Sequence, residues 1–306
     1  MKPGHIALGL AIAIVWGFNF VVADAAVGHL PPFLLVVLRY AVVALLFLPF
    51  TRRGGLPWRY IIPVGLLYGV VQFSGLFLGL RLGVSAGVAA TLIQSQAAIT
   101  IVLARLVLKE KFTAVQWAGL TVGAAGLVLI AASGGASAPL LGVLCVLIGA
   151  GGWAASNIVL KRAKNVSAWT MTVWQSVAVI PPMLLLSGVF ETGQVPAVTG
   201  MAPLTILAVL YIALVATGFG NYAWYRLMQQ VGPAKGAPFS LLIPVVGIVS
   251  GWLVLGERLT GPQILGVVFT LAGLAVIIFA PQLIGVLRRL IRRPAVSAES
   301  TESTSA

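Results

Sequence analysis

Nine polar side chains stand where an otherwise apolar chain has little use for them. Asn19, Arg39, Gln72, Gln94, Gln96, Asn157, Gln175, Asn221 and Tyr225 all fall inside long apolar runs. A central arginine costs about 2.5–3.5 kcal/mol on membrane-insertion scales, so Arg39 needs a carboxylate, carbonyls or water. Asp24 is the acid expected at a similar depth. An Asp24–Arg39 pair is either a structural ion pair pinning two helices or an outer-gate charge. Arg39 is otherwise free to meet the carboxylate of a solute. The amides carry both donors and acceptors. They serve as interhelical glue or line a cavity for a small polar solute. Trp174, Tyr222, Trp224 and Tyr225 either line that cavity or anchor helix ends at the interface.

The polar positions are paired. Trp16-Gly-Phe-Asn19 is echoed by Trp153-Ala-Ala-Ser-Asn157, Gln72 falls on Asn221 at a shift of 149, and Arg39 falls on or beside Gln175. Gln94 and Gln96 break the pattern, with apolar counterparts near Ile243 and Val245. Two residues apart on a helix, they cannot both face one point.

The elements that hold these residues follow from composition. The chain has 306 residues, 60% hydrophobic and 8% charged, against about 25% charged in a soluble domain. Ten apolar runs occupy about 6–26, 33–50, 60–80, 86–107, 115–132, 140–160, 170–188, 204–226, 236–255 and 262–280. Their length suits spanning helices and not strands. Pro31-Pro32, Arg52-Arg53-Gly54-Gly55 and Gly134-Gly135 punctuate them. Pro181-Pro182 and Pro244 inside runs mark hinges or accommodated packing.

The chain repeats itself. At a shift of 147, 9 of the 23 positions from 108 to 130 are identical, including Glu110 with Glu257 and Thr113 with Thr260. Thr113-x-x-Gln116 and Thr260-x-x-Gln263 both match a capping box. Glu110 and Glu257 are therefore expected to be architectural corners. Two halves are expected: residues 1–133 with spans one to five, and 139–281 with spans six to ten. Residues 282–306 form a basic amphipathic segment and a polar tail expected to be disordered. Five spans per half is odd, so the second half enters the membrane inverted, an arrangement typical of transporters. With both termini cytoplasmic, 16 of the 19 Lys and Arg face inward, and the reverse orientation would place them outside. The net charge of +13 is thus a membrane signature and not a nucleic-acid one. An N-terminal signal peptide is not favoured, because no soluble part follows.

Several chemistries are not expected. No HExxH, GxSxG, Walker or Cys/His metal-ligand spacing occurs. An enzyme, a metal site and direct ATP use are not expected, nor is a cofactor. Cys145 is the one cysteine, so it cannot form an internal disulfide.

The motifs together resemble the EamA branch of the drug/metabolite transporter superfamily. The marks are Trp16-Gly-Phe-Asn19, Pro31-Pro32, Leu38-Arg39-Tyr40, Val71-Gln72-Phe73, Pro244 and Leu255-Gly-Glu257-Arg-Leu-Thr260. Ala86-Gly-Val-Ala-Ala-Thr-Leu-Ile-Gln94-Ser-Gln96, Ala216-Thr-Gly-Phe-Gly220 and Ala237-Pro-Phe-Ser-Leu-Leu-Ile-Pro244 are similar to the O-acetylserine/cysteine exporters. The resemblance implies a ten-helix inner-membrane exporter of small metabolites, often amino acids. Two departures stand out. Ala97 replaces a proline common in span four, and Asp24 stands where a basic or neutral residue is usual.

The expected function is therefore secondary export of an amino acid or derivative, such as cysteine or O-acetylserine, by alternating access. Its partners are a small-molecule substrate and the lipid bilayer, with no nucleic acid. Oligomeric state stays open, a homodimer being one candidate. A broad exporter of aromatic amino acids or drug-like compounds is the alternative within transport. A non-transporting membrane scaffold or sensor is the alternative from another class.

Overall fold

The computed structural model describes residues 3–108, 113–132, 140–163, 166–231, 239–240, 242–256 and 258–291. Among them every regular element is helical and no strand occurs. α1 (Pro3–Val27) is followed by α2 (Pro32–Phe47), which starts at the Pro31-Pro32 break. α3 (Trp58–Val64) passes into a π-helical stretch, Gly65–Gln72, and continues as α4 (Phe73–Arg81). Gly83, at φ 95°, allows the turn that follows. Ser85 then caps α5 (Ala86–Leu92) through the backbone N–H of Val88. α6 (Ser95–Leu108), α7 (Ala114–Ala132) and α8 (Leu140–Arg162) follow.

In the second part, Ser167 caps α9 (Ala168–Phe190), which contains Pro181 and Pro182. A short α10 (Gln194–Thr199) leads to α11 (Pro203–Leu210). A second π stretch, Tyr211–Phe219, joins it to α12 (Gly220–Val231). α13 (Leu242–Ser250) ends in a third π stretch, Gly251–Leu255, closed by left-handed Gly256. α14 (Gly261–Ile291) is last, and its capping box forms where described: Gln263 Oε1 accepts from the Thr260 N–H at 2.9 Å.

Six of these helical runs are long and apolar enough to cross a membrane: Pro3–Val27, Pro32–Phe50, Trp58–Arg81, Leu140–Leu160, Ala168–Phe190 and Pro203–Trp224. The structure departs from the expected pattern in three ways. The run expected at 86–107 is broken at Ile93–Gln94, where the Gln94 and Gln96 N–H groups reach back only three residues, to Thr91 and Ile93. No proline stands in that break. Three π stretches, invisible to apolar periodicity, interrupt the long runs. α10 lies between two of the expected apolar runs, 170–188 and 204–226.

Packing follows the internal repeat. α7 lies against α14, and α2 against α9. α1 packs on α13 as α6 packs on α8, and α4 packs on α8 as α12 packs on α1. Lipid offers no hydrophobic drive between helices, so close approach at small residues must hold them. A Cβ on Gly126 would sit 2.6 Å from the Gly266 carbonyl oxygen, and one on Gly273 2.5 Å from that of Gly119. Under the shift of 147, Gly119 maps to Gly266 and Gly126 to Gly273. The contact is therefore made by one surface on its own copy, late position to early, so α7 and α14 run antiparallel.

α2 and α9 are tied at both ends. No side chain of its own caps α2 at Pro31. Glu191, at the end of α9, takes that role. Its carboxylate accepts from the N–H groups of Phe33 (2.6 Å) and Leu34 (3.0 Å), and from the Ser187 hydroxyl (2.7 Å). A carboxylate at a helix N-terminus satisfies orphan donors and suits the dipole. At the other end, Trp169 Nε1 donates to Thr51 Oγ1 and Trp174 Nε1 to the Thr51 carbonyl, both at 3.1 Å. Glu110 and Glu257, the expected corners, lie outside the described residues.

Two outcomes test this packing. Gly273→Ala lowers the melting midpoint in detergent, by about 1–3 kcal/mol of overpacking, whereas Gly151→Ala, with open space around it, leaves it in place. Glu191→Ala removes the cap of α2 and costs about 0.5–2 kcal/mol, read in the same melt.

Candidate functional site

A cavity of about 40 Å³ opens where α1, α2, the first π stretch, α8 and the Ile93–Gln94 break converge. It is several times the ~10–15 Å³ that a single water needs. Asn19, Arg39, Gln72 and Gln94 supply its polar wall, and Trp16, Tyr68, Phe73 and Trp153 supply aromatic rings. Four of the nine sequence-derived polar residues therefore meet at one place.

Arg39 is 2% exposed. Its Nε donates to Thr217 Oγ1, and its guanidinium carbon lies 3.8 Å from the Phe73 ring centroid. Thr217 belongs to the second π stretch. Its hydroxyl donates to the Ile212 carbonyl, five residues back, at 2.8 Å. That proton is committed along the π helix, leaving the oxygen to accept from Arg39. Arg39 Nη1 has no protein partner. Asp24, expected to pair with Arg39, is half-buried on α1, while the Arg39 side-chain hydrogen bond shown goes to Thr217.

The same π stretch holds α1. Trp16 Nε1 donates to the Ala216 carbonyl at 2.9 Å, and the Tyr211 hydroxyl donates to the Val15 carbonyl at 2.9 Å. Trp16 and Trp153, which the sequence pairs as equivalents, meet edge to face at 6.1 Å. Tyr68 meets Trp153 and Phe73 edge to face, at 5.8 and 5.4 Å, and donates its hydroxyl to Asn221 Oδ1 at 3.1 Å.

The amides divide. Gln94 Nε2 is anchored on the Ser240 carbonyl at 2.7 Å, while its Oε1 has no partner. Asn19 Oδ1 and Gln72 Oε1 are likewise unpaired. Gln96 turns away, as its spacing from Gln94 requires, and accepts from Asn157 Nδ2 at 3.1 Å in a cluster with Thr100. Asn221 and Gln175 are buried outside the cavity wall. The side chain of Tyr225 lies outside the described residues.

Four buried atoms of the lining residues thus lack a hydrogen-bond partner: one cationic donor, Arg39 Nη1, and three neutral acceptors, the oxygens of Asn19, Gln72 and Gln94. An unmet buried polar group costs about 1–3 kcal/mol, so this wall is complementary to a partner it does not itself contain. A carboxylate fits the guanidinium, an ammonium fits the amide oxygens, and the rings suit an apolar or cationic moiety. Among the described residues no group of three or more His, Cys, Asp or Glu could hold a metal ion.

Thr217, Tyr68 and Phe73 carry this geometry and were not singled out as site residues by sequence. Threonine and aromatic residues are ordinary in apolar helices. The usable signal is position: Phe73 adjoins Gln72, and Thr217 lies one turn before Asn221.

Comparison with known proteins agrees with this architecture. The EamA-like transporter family model matches residues 4–132 and again 140–279. A protein of Salmonella typhimurium (strain LT2) named "Probable amino-acid metabolite efflux pump" is 35% identical over 91% of this chain and 95% of its own length. One of the same name from Escherichia coli (strain K12) is 34% identical over 89% and 94%. A solved structure, titled only as the crystal structure of a protein, superposes with a TM-score of 0.63 at 19% identity, covering 95% of this chain and all of its own, which speaks to the fold alone. Two successive matches that together span most of the chain, and relatives of this similarity over nearly its whole length, place the chain in the EamA-like transporter family.

Proposed function

We propose that the chain is a secondary exporter of small zwitterionic metabolites, amino acids or derivatives such as cysteine and O-acetylserine, working by alternating access. The observation that carries this reading is the cavity wall, whose lining residues carry one unpaired guanidinium nitrogen and three unpaired amide oxygens. It is a negative image of an amino acid's charged ends. The names borne by the relatives from Salmonella typhimurium and Escherichia coli support the same substrate class.

The proposed architecture is ten spans in two inverted five-helix halves, residues 1–133 and 139–281, followed by a basic tail at 282–306. The antiparallel contact between equivalent surfaces of α7 and α14 supports inversion. The Lys and Arg distribution supports cytoplasmic termini in an inner membrane. At about 40 Å³ the cavity is narrow for an amino acid, so loading requires the helices around it to part. The rings of Trp16, Tyr68, Phe73 and Trp153 favour a second reading, export of aromatic or drug-like compounds.

Counterflow of labelled cysteine, O-acetylserine and phenylalanine in proteoliposomes tests the reading. At least one is expected to accumulate, and uptake of none by folded protein contradicts it. Accumulation of phenylalanine alone favours the second reading. Amines lacking the carboxylate are expected not to compete. Arg39→Ala removes a hydrogen bond to a charged group, about 1.5–3 kcal/mol, so kcat/KM is expected to fall about 10- to 100-fold. Thr217→Val, which releases Arg39 Nε, is expected to fall less, since the charge remains.

A further inference from the structure

Gln175 is the most anomalous side chain outside the cavity. It is 0% exposed, and neither its Nε2 nor its Oε1 has a hydrogen-bond partner. Nearly all buried polar groups are paired, so one left wholly unpaired needs an explanation. An amide serving as glue between helices would be bonded across them, and this one is not.

Its place in the fold supplies the explanation. Gln175 lies seven residues into α9, as Arg39 lies seven residues into α2. α2 and α9 are the mutually packed equivalents of the two halves, and they run antiparallel. The end of α9 caps the start of α2 through Glu191, and the start of α9 is tied to Thr51 beyond the end of α2. Seven residues are roughly 10 Å of helix. Arg39 and Gln175 therefore stand at matching depths from opposite ends of the pair.

Their surroundings correspond as well. Arg39 is bonded to Thr217 in the π stretch of the other half. The backbone of Gln175 lies against the π stretch of the opposite half: a Cβ on Gly65 would sit 3.3 Å from the Gln175 main-chain carbonyl oxygen. Tyr68, three residues on, lines the cavity and also binds Asn221, whose Nδ2 is unpaired and whose equivalent is Gln72. Gln175 thus repeats the place of Arg39 in the fold without lining the cavity. Arg39 lines the cavity, whereas Gln175 is fully buried away from it.

We infer that Gln175, with Asn221, anchors a second half-site for the same solute on the side of the membrane opposite Arg39, closed in this conformation and opened when the halves rock. The inference rests on the export reading above and adds where the solute is first held. Gln175 offers a neutral donor and acceptor where Arg39 offers a fixed charge. A zwitterion entering from the α9 start is received by amides, and its carboxylate then passes to the guanidinium of Arg39. A cationic inner anchor would hold the carboxylate more strongly and slow that transfer.

Two measurements test this, neither dependent on the other. The first is stability. Replacing an unpaired amide by an apolar side chain of similar size removes a desolvation cost, so Gln175→Leu is expected to raise the melting midpoint while raising KM for loading from the Gln175 side about tenfold. KM from the Arg39 side is expected to stay within twofold. A lowered midpoint would mean the amide is bonded structurally and would overturn the proposal, as would an unchanged KM from both sides.

The second uses the single cysteine. In a Cys145→Ala background, Gln175→Cys and Arg39→Cys are exposed to a membrane-impermeant thiol reagent from each face of oriented vesicles, with and without O-acetylserine and phenylalanine. Gln175→Cys is expected to react from one face and to be slowed by a saturating solute that counterflow shows to be carried, and Arg39→Cys to react from the other. A Gln175→Cys that reacts from neither face, reacts from the Arg39 face, or is not slowed overturns the half-site. Wild-type protein that carries nothing in counterflow would instead overturn the export reading itself, a separate result.

Discussion

The structure depends on how a guanidinium is kept inside an apolar bundle. Arg39 is 2% exposed, and a charge left without partners inside an apolar bundle is costly. The protein answers with a hydroxyl and a ring: Thr217 accepts from Nε and Phe73 covers the guanidinium face. Thr217 lies within one π stretch, and Phe73 directly follows another. In the second π stretch the hydrogen-bond ladder slips to five residues, which lets Thr217 bond to Ile212 and still turn its oxygen toward Arg39. The same slip offers the Ala216 carbonyl to Trp16. One irregularity thereby positions the cation and fastens α1 beside it.

The remainder of the bundle keeps that arrangement in register. Glycine contacts bring α7 and α14 together along a self-matching surface, away from the cavity. α2 carries Arg39 and is tied to α9 by a carboxylate at one end and by two indoles at the other. The two ties differ in kind. The Glu191 tie is charge-assisted and relies on one side chain reaching a helix start; the Thr51 tie is neutral and built from rings. Helices clasped unequally at their two ends are suited to part at one end at a time, which alternating access requires.

How much of this the sequence disclosed depends on how local each cause is. Arg39, Asn19, Gln72 and Gln94 are legible because polarity within an apolar run has few explanations. The equivalence of the halves is legible because identities at a constant shift accumulate. The π stretches are not, because one extra residue per turn leaves composition unchanged while rotating every later side chain by about 100°. Thr217 is hidden for that reason. The break at Ile93–Gln94 is hidden because no proline or glycine marks it. Glu191 escapes because the helix start it caps lies 158 residues away at Phe33, and nothing near Glu191 in sequence points there. Gln175 is legible as a polar residue but not as an unpaired one, since its lack of partners is a property of the packing.

The central claim is that the unpaired guanidinium nitrogen and the three unpaired amide oxygens are complementary to one zwitterion. The most direct measurement is an experimental density map of the protein bound to an amino acid that it carries. The account predicts the carboxylate within hydrogen-bond distance of Arg39 Nη1 and the ammonium on the oxygens of Asn19, Gln72 or Gln94, with the side chain against Trp16 and Trp153. A solute bound elsewhere, with Arg39 closed off by Asp24, would contradict it.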